Sequence, residues 1–284
     1  MIRHRRIGLL LTVWLVAAIG VSGQAVVNVG GLFSAAGSAR GAGMGNAFSA
    51  LADDEGAAFH NPAALGWLET AGISTTYLAG FGGVNLGSIG IVLPYVAVSV
   101  QFLNSGTIPG DEGAFYYASQ GVIASAGLPI GPIGIGVRWR FFRCSSPFAG
   151  TGWTLDPTLL VRTDILRASV MWENALSVPV TYDSRTEDAW DPSLRLSVSL
   201  LLAPTDDVQW NACFEMDGLF SSDPSLSAGV EAWVGGIGAR AGYNEGALTY
   251  GLSARFDTLQ IDWAYTMRDD LGDTHRIGLA LRFE

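Results

Sequence analysis

The chain has 284 residues, with 16 basic and 26 acidic side chains and a net charge of −10. Every basic side chain is an arginine, which excludes lysine-dependent chemistry such as a P-loop or a Schiff base. The negative balance also argues against nucleic acid, which calls for a basic face. With 37 Gly, 9 Trp, 8 Tyr and 13 Phe at a mean hydropathy of +0.31, the composition fits a membrane β-barrel or a soluble β-sandwich.

The first segment reads as an export signal. Arg3, Arg5 and Arg6 form a basic start, Ile7 to Val21 is apolar, and Gly23 and Ala25 supply small residues at an A-x-A-like site. The apolar run is shorter than the ~20 residues a spanning helix needs. Residues 1–25 are therefore expected to be cleaved, which takes the net charge from −10 to about −13.

Residues 37–68, GSARGAGMGNAFSALADDEGAAFHNPAALGWL, are rich in Gly and Ala and carry short helical signals. Asp54 is placed to cap a helix running towards Phe59. Asn61 followed by Pro62 is an N-cap followed by proline at the first helical position. Ala63, Ala64, Leu65, Trp67 and Leu68 add one or two apolar turns. Such a piece buries no core alone, and residues 26–70 are expected to form a plug inside a barrel made by residues 71–284.

Beyond the plug the chain reads as strands. Ala71 to Gly110 contains no charged residue, yet Pro94, recurrent glycines and β-branched residues favour strands over membrane helices. Later segments alternate strictly. Leu194, Leu196, Val198, Leu200 and Leu202 oppose Arg195, Ser197 and Ser199. Ile133, Ile135, Val137, Trp139 and Phe141 oppose Gly134, Gly136, Arg138 and Arg140. The same period of two recurs over 208–216, 248–256, 259–268 and 276–283. About fourteen strands are expected: 71–79, 84–93, 95–104, 115–127, 133–143, 152–162, 165–173, 191–203, 206–216, 225–235, 237–244, 247–256, 258–268 and 274–283. Their connections alternate between mostly short and mostly longer, polar ones, the pattern of an outer-membrane barrel. The fold class is thus all-β, a transmembrane antiparallel barrel with a small N-terminal plug.

The face opposite the apolar one carries Arg138, Arg140, Arg162, Arg167, Glu173, Arg195, Glu215, Arg240, Arg255, Asp262, Arg276 and Arg282. These are the lumen candidates, either as a polar tunnel with a site for an anionic head group or as ion pairs holding the plug to the wall. No enzyme is expected. His60 and His275 are the only histidines beyond the signal, and no nucleophile is placed with them. GAGMG at 41–45 lacks the spacing and the βαβ context of a dinucleotide site. Cys144 and Cys213 form no CxxC, so neither metal nor cofactor is expected; the two either bridge or stand as ordinary small side chains. The acidic loop residues, Asp111, Glu112, Asp183, Glu187, Asp188, Asp191, Asp223, Asp269, Asp270 and Asp273, are either a solvated surface or a site for divalent bridging to lipid phosphates.

ARGAGMGNAFSALADDEGAAFHNPAAL (39–65) resembles the N-terminal signature of the PorV/PorQ family of outer-membrane proteins, within the wider FadL-like group of barrels for hydrophobic compounds. GTGWTLDPTLLVR (150–162), LRASVMWEN (166–174), ARAGYNEG (239–246) and IDWAYTMRDDLGDTHRIGLALRF (261–283) continue it. The resemblance implies a fourteen-stranded barrel in the bacterial outer membrane. It makes Asp53, Asp54, Asn61, Pro62 and Ala63 a plug or hatch motif. The partners it implies are outer-membrane lipid and either a small hydrophobic molecule in transit or, for a PorV-like accessory barrel, an exported cargo protein.

Overall fold

The computed structural model describes residues 31–33, 37–80, 84–108, 114–146, 148–183, 187–202, 208–221, 224–268 and 272–283. The expected export signal lies outside them. Strands β1 (Ala71–Ala79), β2 (Asn85–Leu93), β3 (Val96–Ile108), β4 (Phe115–Ile130), β5 (Ile133–Ser146), β6 (Gly150–Arg162) and β7 (Leu166–Glu173) make one half of the wall. The other half is β10 (Ser193–Leu202), β11 (Val208–Leu219), β12 (Ser225–Val234), β13 (Ile237–Asn244), β14 (Ala247–Phe256), β15 (Leu259–Met267) and β16 (Thr274–Phe283). Each pairs antiparallel with its neighbours, β5 joins β6, and β1 joins β16, so the sheet closes as a fourteen-stranded barrel. Closure removes the edge that an open sheet would leave unpaired. The observed strands match the expected ones to within a few residues.

One region departs from expectation. Residues 174–190, expected as a loop, contain β8 (Leu176–Tyr182) and β9 (Glu187–Asp188). β6 pairs with β7 from Thr158 to Arg162 and with β8 from Gly150 to Leu155. The break falls at Asp156 and Pro157; proline has no N–H to give a ladder. Opposite it Asn174 takes a left-handed turn, φ 56°, and its N–H is caught by Asp156 Oδ1 at 2.7 Å. The bulge thereby lets β8 extend the wall upwards at the end that carries the longer loops.

The expected alternation sets the faces. Val198, Leu252, Ile277, Leu279 and Leu281 are exposed on the outside, while Ser197, Ser199, Ser253 and Gln260 are buried inside. Trp139 stacks on Phe141 and Trp263 on Tyr265 along the outer surface. A hollow of about 660 Å³ on this outer face, where the small Ala168 and Ala228 lie among Leu196, Phe214, Leu226 and Tyr243, belongs to the same apolar band. Cys144 and Cys213 are both buried and free, so no bridge joins them.

Candidate functional site

Residues 37–68 run inside the barrel. They form a helix Ala39–Gly43, a helix Ala57–His60 and a 3-10 turn Pro62–Trp67, and Met44, Ala47, Phe48, Leu51, Ala58, Ala63 and Leu65 are buried. Two glycine pairs in the wall make the room. Gly127 faces Gly136 across β4 and β5, and added Cβ atoms would lie 2.0 Å from Pro62 O and 2.3 Å from Ala63 N. Gly229 faces Gly242 across β12 and β13, and there Cβ atoms would lie 2.4 Å from Met44 O and 2.3 Å from Gly45 N. Only residues without a Cβ admit such approaches. At the short-turn end Tyr95 N donates to Leu65 O at 3.1 Å, and the Arg162 guanidinium lies over the Trp67 ring at 5.7 Å.

Asn61 caps the 3-10 turn. It is 0 % exposed, its Oδ1 accepts from Ala63 N at 3.0 Å, and its Nδ2 donates to Ser49 O at 2.8 Å. Pro62 follows as the first residue of the turn. Asp54 does not cap the helix Ala57–His60: Gly56 occupies the cap position, and Asp54 Oδ1, two residues ahead of it, instead accepts from Gly56 N at 2.8 Å. The larger role of Asp54 is electrostatic.

Arg40 gathers the acids of the inner segment and the wall. Its Nε and Nη2 donate to Glu231 at 2.7 and 2.6 Å, and its Nη1 donates to Asp53 at 2.6 Å and Asp54 at 2.8 Å. Arg240 also donates to Glu231, at 3.2 Å, and reaches Asp262 at 3.6 Å. Arg282 forks onto Glu55 at 2.7 and 2.9 Å. Arg255 lies over Trp233 at 4.5 Å and donates to Gln260 at 3.0 Å. Arg167 donates to Leu51 O at 2.6 Å. On the opposite wall Arg138 donates to Asp156 at 2.8 Å, to Glu173 at 2.9 Å and to the carbonyl of Phe59. Arg140 donates to Asp156 at 2.9 Å. Arg195 pairs with Glu173 at 3.1 Å and also with Asp217. Arg276 donates to Gly37 O at 3.2 Å. Of the lumen candidates, Arg138, Arg167, Arg276 and Arg282 tie the inner segment to the wall, whereas Arg140, Arg195, Arg240 and Arg255 bond within the wall itself. Arg40 stands in the Gly- and Ala-rich segment but, like Glu231, had no signal marking it as the centre of the largest network, because only the fold brings the two together.

His60 sits at the centre of the inner segment, with its ring edge-on to Phe48 at 5.2 Å and Nε2 3.3 Å from Ser38 Oγ. Burial pushes its imidazole down to about 3, and the Arg195, Arg138 and Arg276 cations push the same way, so it is neutral at neutral pH.

Above the inner segment, at the end with the longer loops, lies a cavity of about 460 Å³. Ala42, Asn46, Phe59 and His60 make its floor. Leu78, Leu86 and Leu103 line one side and Arg138, Glu173, Arg195 and Asp217 another, with Trp190 between β8 and β10. Among the described residues no cluster of His, Cys, Asp and Glu could hold a metal ion.

A closed barrel of this strand number, with a short helical segment at its N-terminal end, is an architecture shared with solved outer-membrane proteins. The toluene transporter TbuX of Ralstonia pickettii superposes with a TM-score of 0.56 at 13 % identity, over 91 % of this chain and 100 % of that one. The toluene transporter TodX of Pseudomonas putida gives 0.53 at 12 %, over 87 % and 97 %. The outer membrane protein Omp33 of Acinetobacter baumannii gives 0.51 at 7 %, over 75 % and 98 %. At these identities the likeness is one of fold. No family model and no curated protein matches the chain, so the PorV/PorQ resemblance rests on the motifs alone.

Proposed function

We propose that this chain is an outer-membrane barrel of the FadL-like kind, through which small hydrophobic molecules enter. The observation that carries the reading is the apolar row Leu78, Leu86 and Leu103 on the wall of a cavity that opens among the longer loops. The exposed apolar band outside supports a membrane setting, since in lipid only helices and closed barrels satisfy their backbone groups. Two of the fold's neighbours bear the name of toluene transporters, which favours the same chemistry. The secretion-accessory reading draws no comparable support. In this proposal residues 37–68 are the plug, Asn61, Pro62 and Ala63 are its pivot, and the ion pairs of Arg40 hold it shut.

Uptake of radiolabelled toluene into proteoliposomes tests the proposal. The wild-type barrel should raise uptake over protein-free vesicles, and Leu86→Arg, which puts a charge on the apolar row, should remove the increase. Equal uptake with and without the barrel would refute passage.

A further inference from the structure

The outward face of β5 ends in a charge. Ile133, Ile135, Val137, Trp139 and Phe141 point into the apolar band, and the next outward residue is Arg143. Phe142 and Cys144, on either side of it, are buried, so the pleat sets the direction of Arg143. At about 3.4 Å per residue and a tilt near 40°, Phe141 stands about 21 Å and Arg143 about 26 Å above Ile133. The apolar band of such a barrel is about 25 Å tall, which puts Arg143 at its edge. That edge is the one beneath the longer loops.

Among the described arginines of the wall, Arg143 alone faces outward. The others turn into the barrel, where acids, carbonyls or indole rings meet them. Arg143 is exposed and has neither an ion pair nor a hydrogen bond to a described residue. The described acids nearest to it by register, Asp183 and Glu187, stand two and three strands away, about 10 Å or more. Elsewhere on this rim outward polar groups close on one another, Tyr77 on Asn85 and Tyr265 on Asp273.

The neighbours of Arg143 suit an anion with an apolar body. Gln120 is its cross-strand partner on one side and Thr151 on the other, and both are exposed on the same face. An amide and a hydroxyl, each able to donate, thus flank the guanidinium. One step below, Phe141 lies between Val122 and Trp153, and Trp139 stacks on Phe141. A row of donors therefore sits directly above an aromatic platform, at the depth where barrels meet lipid head groups. A hydrocarbon would use only the platform and a free anion only the donors. The guanidinium fork matches phosphate, the anion that lipid head groups carry at this depth. On a chain of net charge −10, an outward cation marks a particular place for it.

We propose that Arg143, with Gln120 and Thr151, holds the phosphate of an outer-leaflet lipid whose chains lie along Phe141 and Trp153. The proposal goes beyond passage and needs only the membrane setting of the outer face.

Native mass spectrometry of the barrel released from detergent micelles tests it with three probes. They are dioleoyl phosphatidic acid, dioleoylglycerol, which is the same lipid without the phosphate, and glycerol 3-phosphate, which is the head group without the chains. The first molecule of phosphatidic acid should bind about tenfold or more tighter than dioleoylglycerol, the value of one hydrogen bond to a charged group. Glycerol 3-phosphate should bind far more weakly than either lipid. Arg143→Gln should bring phosphatidic acid down to the affinity of dioleoylglycerol and leave the latter unchanged. Arg143→Lys keeps the charge without the fork and should fall between. Arg143 is exposed, so both variants should fold as wild type, which heat-modified gel mobility reads. Equal affinities of the two lipids in wild type, or a preference for phosphatidic acid that survives Arg143→Gln, would overturn the proposal. Glycerol 3-phosphate bound as tightly as phosphatidic acid would give the site to soluble phosphates and overturn its lipid reading.

Discussion

Arg40 and Glu231, 191 positions apart, meet as a two-pronged ion pair, with Nε and Nη2 each on its own carboxylate oxygen at 2.7 and 2.6 Å. Both side chains are buried, and Arg40 is also the only cation within bonding distance of Asp54 among the described ion pairs. Removing one partner of such a pair leaves an uncompensated buried charge and costs about 3–5 kcal/mol. Arg40→Met leaves Asp54 without a cation, leaves Glu231 only Arg240 at 3.2 Å and Asp53 only Arg167 at 3.4 Å, and is expected to reach the top of that range. The double variant Arg40→Met, Glu231→Met still leaves Asp54 without a cation, so it should recover only part of the loss. Heat-modified gel mobility of the purified barrel, with proteolysis of the inner segment as second readout, checks both. A single variant as stable and as protected as wild type would show that the pair does not hold the segment.

The wall glycines give a steric counterpart. Gly136→Val and Gly242→Val should each force the inner segment off the wall, because backbone atoms at 2.3 Å cannot yield as a flexible side chain does. Overpacking of this kind costs typically about 1–3 kcal/mol. Ser199→Ala, also inward-facing and buried, removes an atom and should change little. Limited proteolysis of residues 37–68 separates the cases, and valine variants as protected as the alanine control would contradict the close approach.

The strands and their faces were readable because a period of two survives everything else in a barrel: one side meets an apolar medium and the other a filled, polar interior. Leu194 to Leu202 is the plainest example. The bulge at Pro157 and Asn174 was not readable, since it depends on how two ladders share β6. Nor were the glycine pairs, whose meaning appears only when the register sets Gly127 beside Gly136. The cap by Asn61 was legible from its own tripeptide; its second bond, to Ser49 O, was not.

The same faces predict what a charge does outside. Leu279 is 45 % exposed on the apolar surface, whereas Thr274, on the same strand, lines the cavity. Leu279→Arg should cost ~2–4 kcal/mol if it lies near the midplane, and Thr274→Arg much less. Ser199 is not a suitable inward comparison, because at 2 % exposure it lies beneath the inner segment and an arginine there would be overpacked. Unfolding from vesicles in denaturant measures the difference, and equal costs would reverse the assignment of faces.

His60 should make the barrel less stable in mild acid. Its folded value of about 3 lies below the ordinary 6.5, so protons bind the unfolded chain better. The stability it contributes is complete above pH 6.5 and falls as the pH drops towards 3. At pH 5 the loss is about 2 kcal/mol, at 1.36 kcal/mol per unit. His60→Gln should flatten the fall between pH 6.5 and 5 relative to wild type, and an unchanged slope in the heat-modification midpoint would place the titration elsewhere.

Asn61 separates a simple helix cap from a cross-brace. A cap alone loses about 0.5–2 kcal/mol on replacement by alanine. Here alanine also removes the donor to Ser49 O and leaves that carbonyl unmet in a buried place, which adds about 1–3 kcal/mol. Asn61→Asp keeps the cap to Ala63 N but loses the donor and introduces a charge beside a carbonyl oxygen, so it should be worse than alanine. Asn61→Ser, short enough to cap and too short to reach Ser49, should fall between wild type and alanine. Unfolding midpoints of the three variants order them, and toluene uptake read alongside shows what the brace does for passage. If Asn61→Asp proves as stable as wild type, the bond to Ser49 contributes nothing. If all three destabilise the segment while uptake stays at the wild-type level, the tripeptide is a brace for the fold and not the pivot of a moving plug.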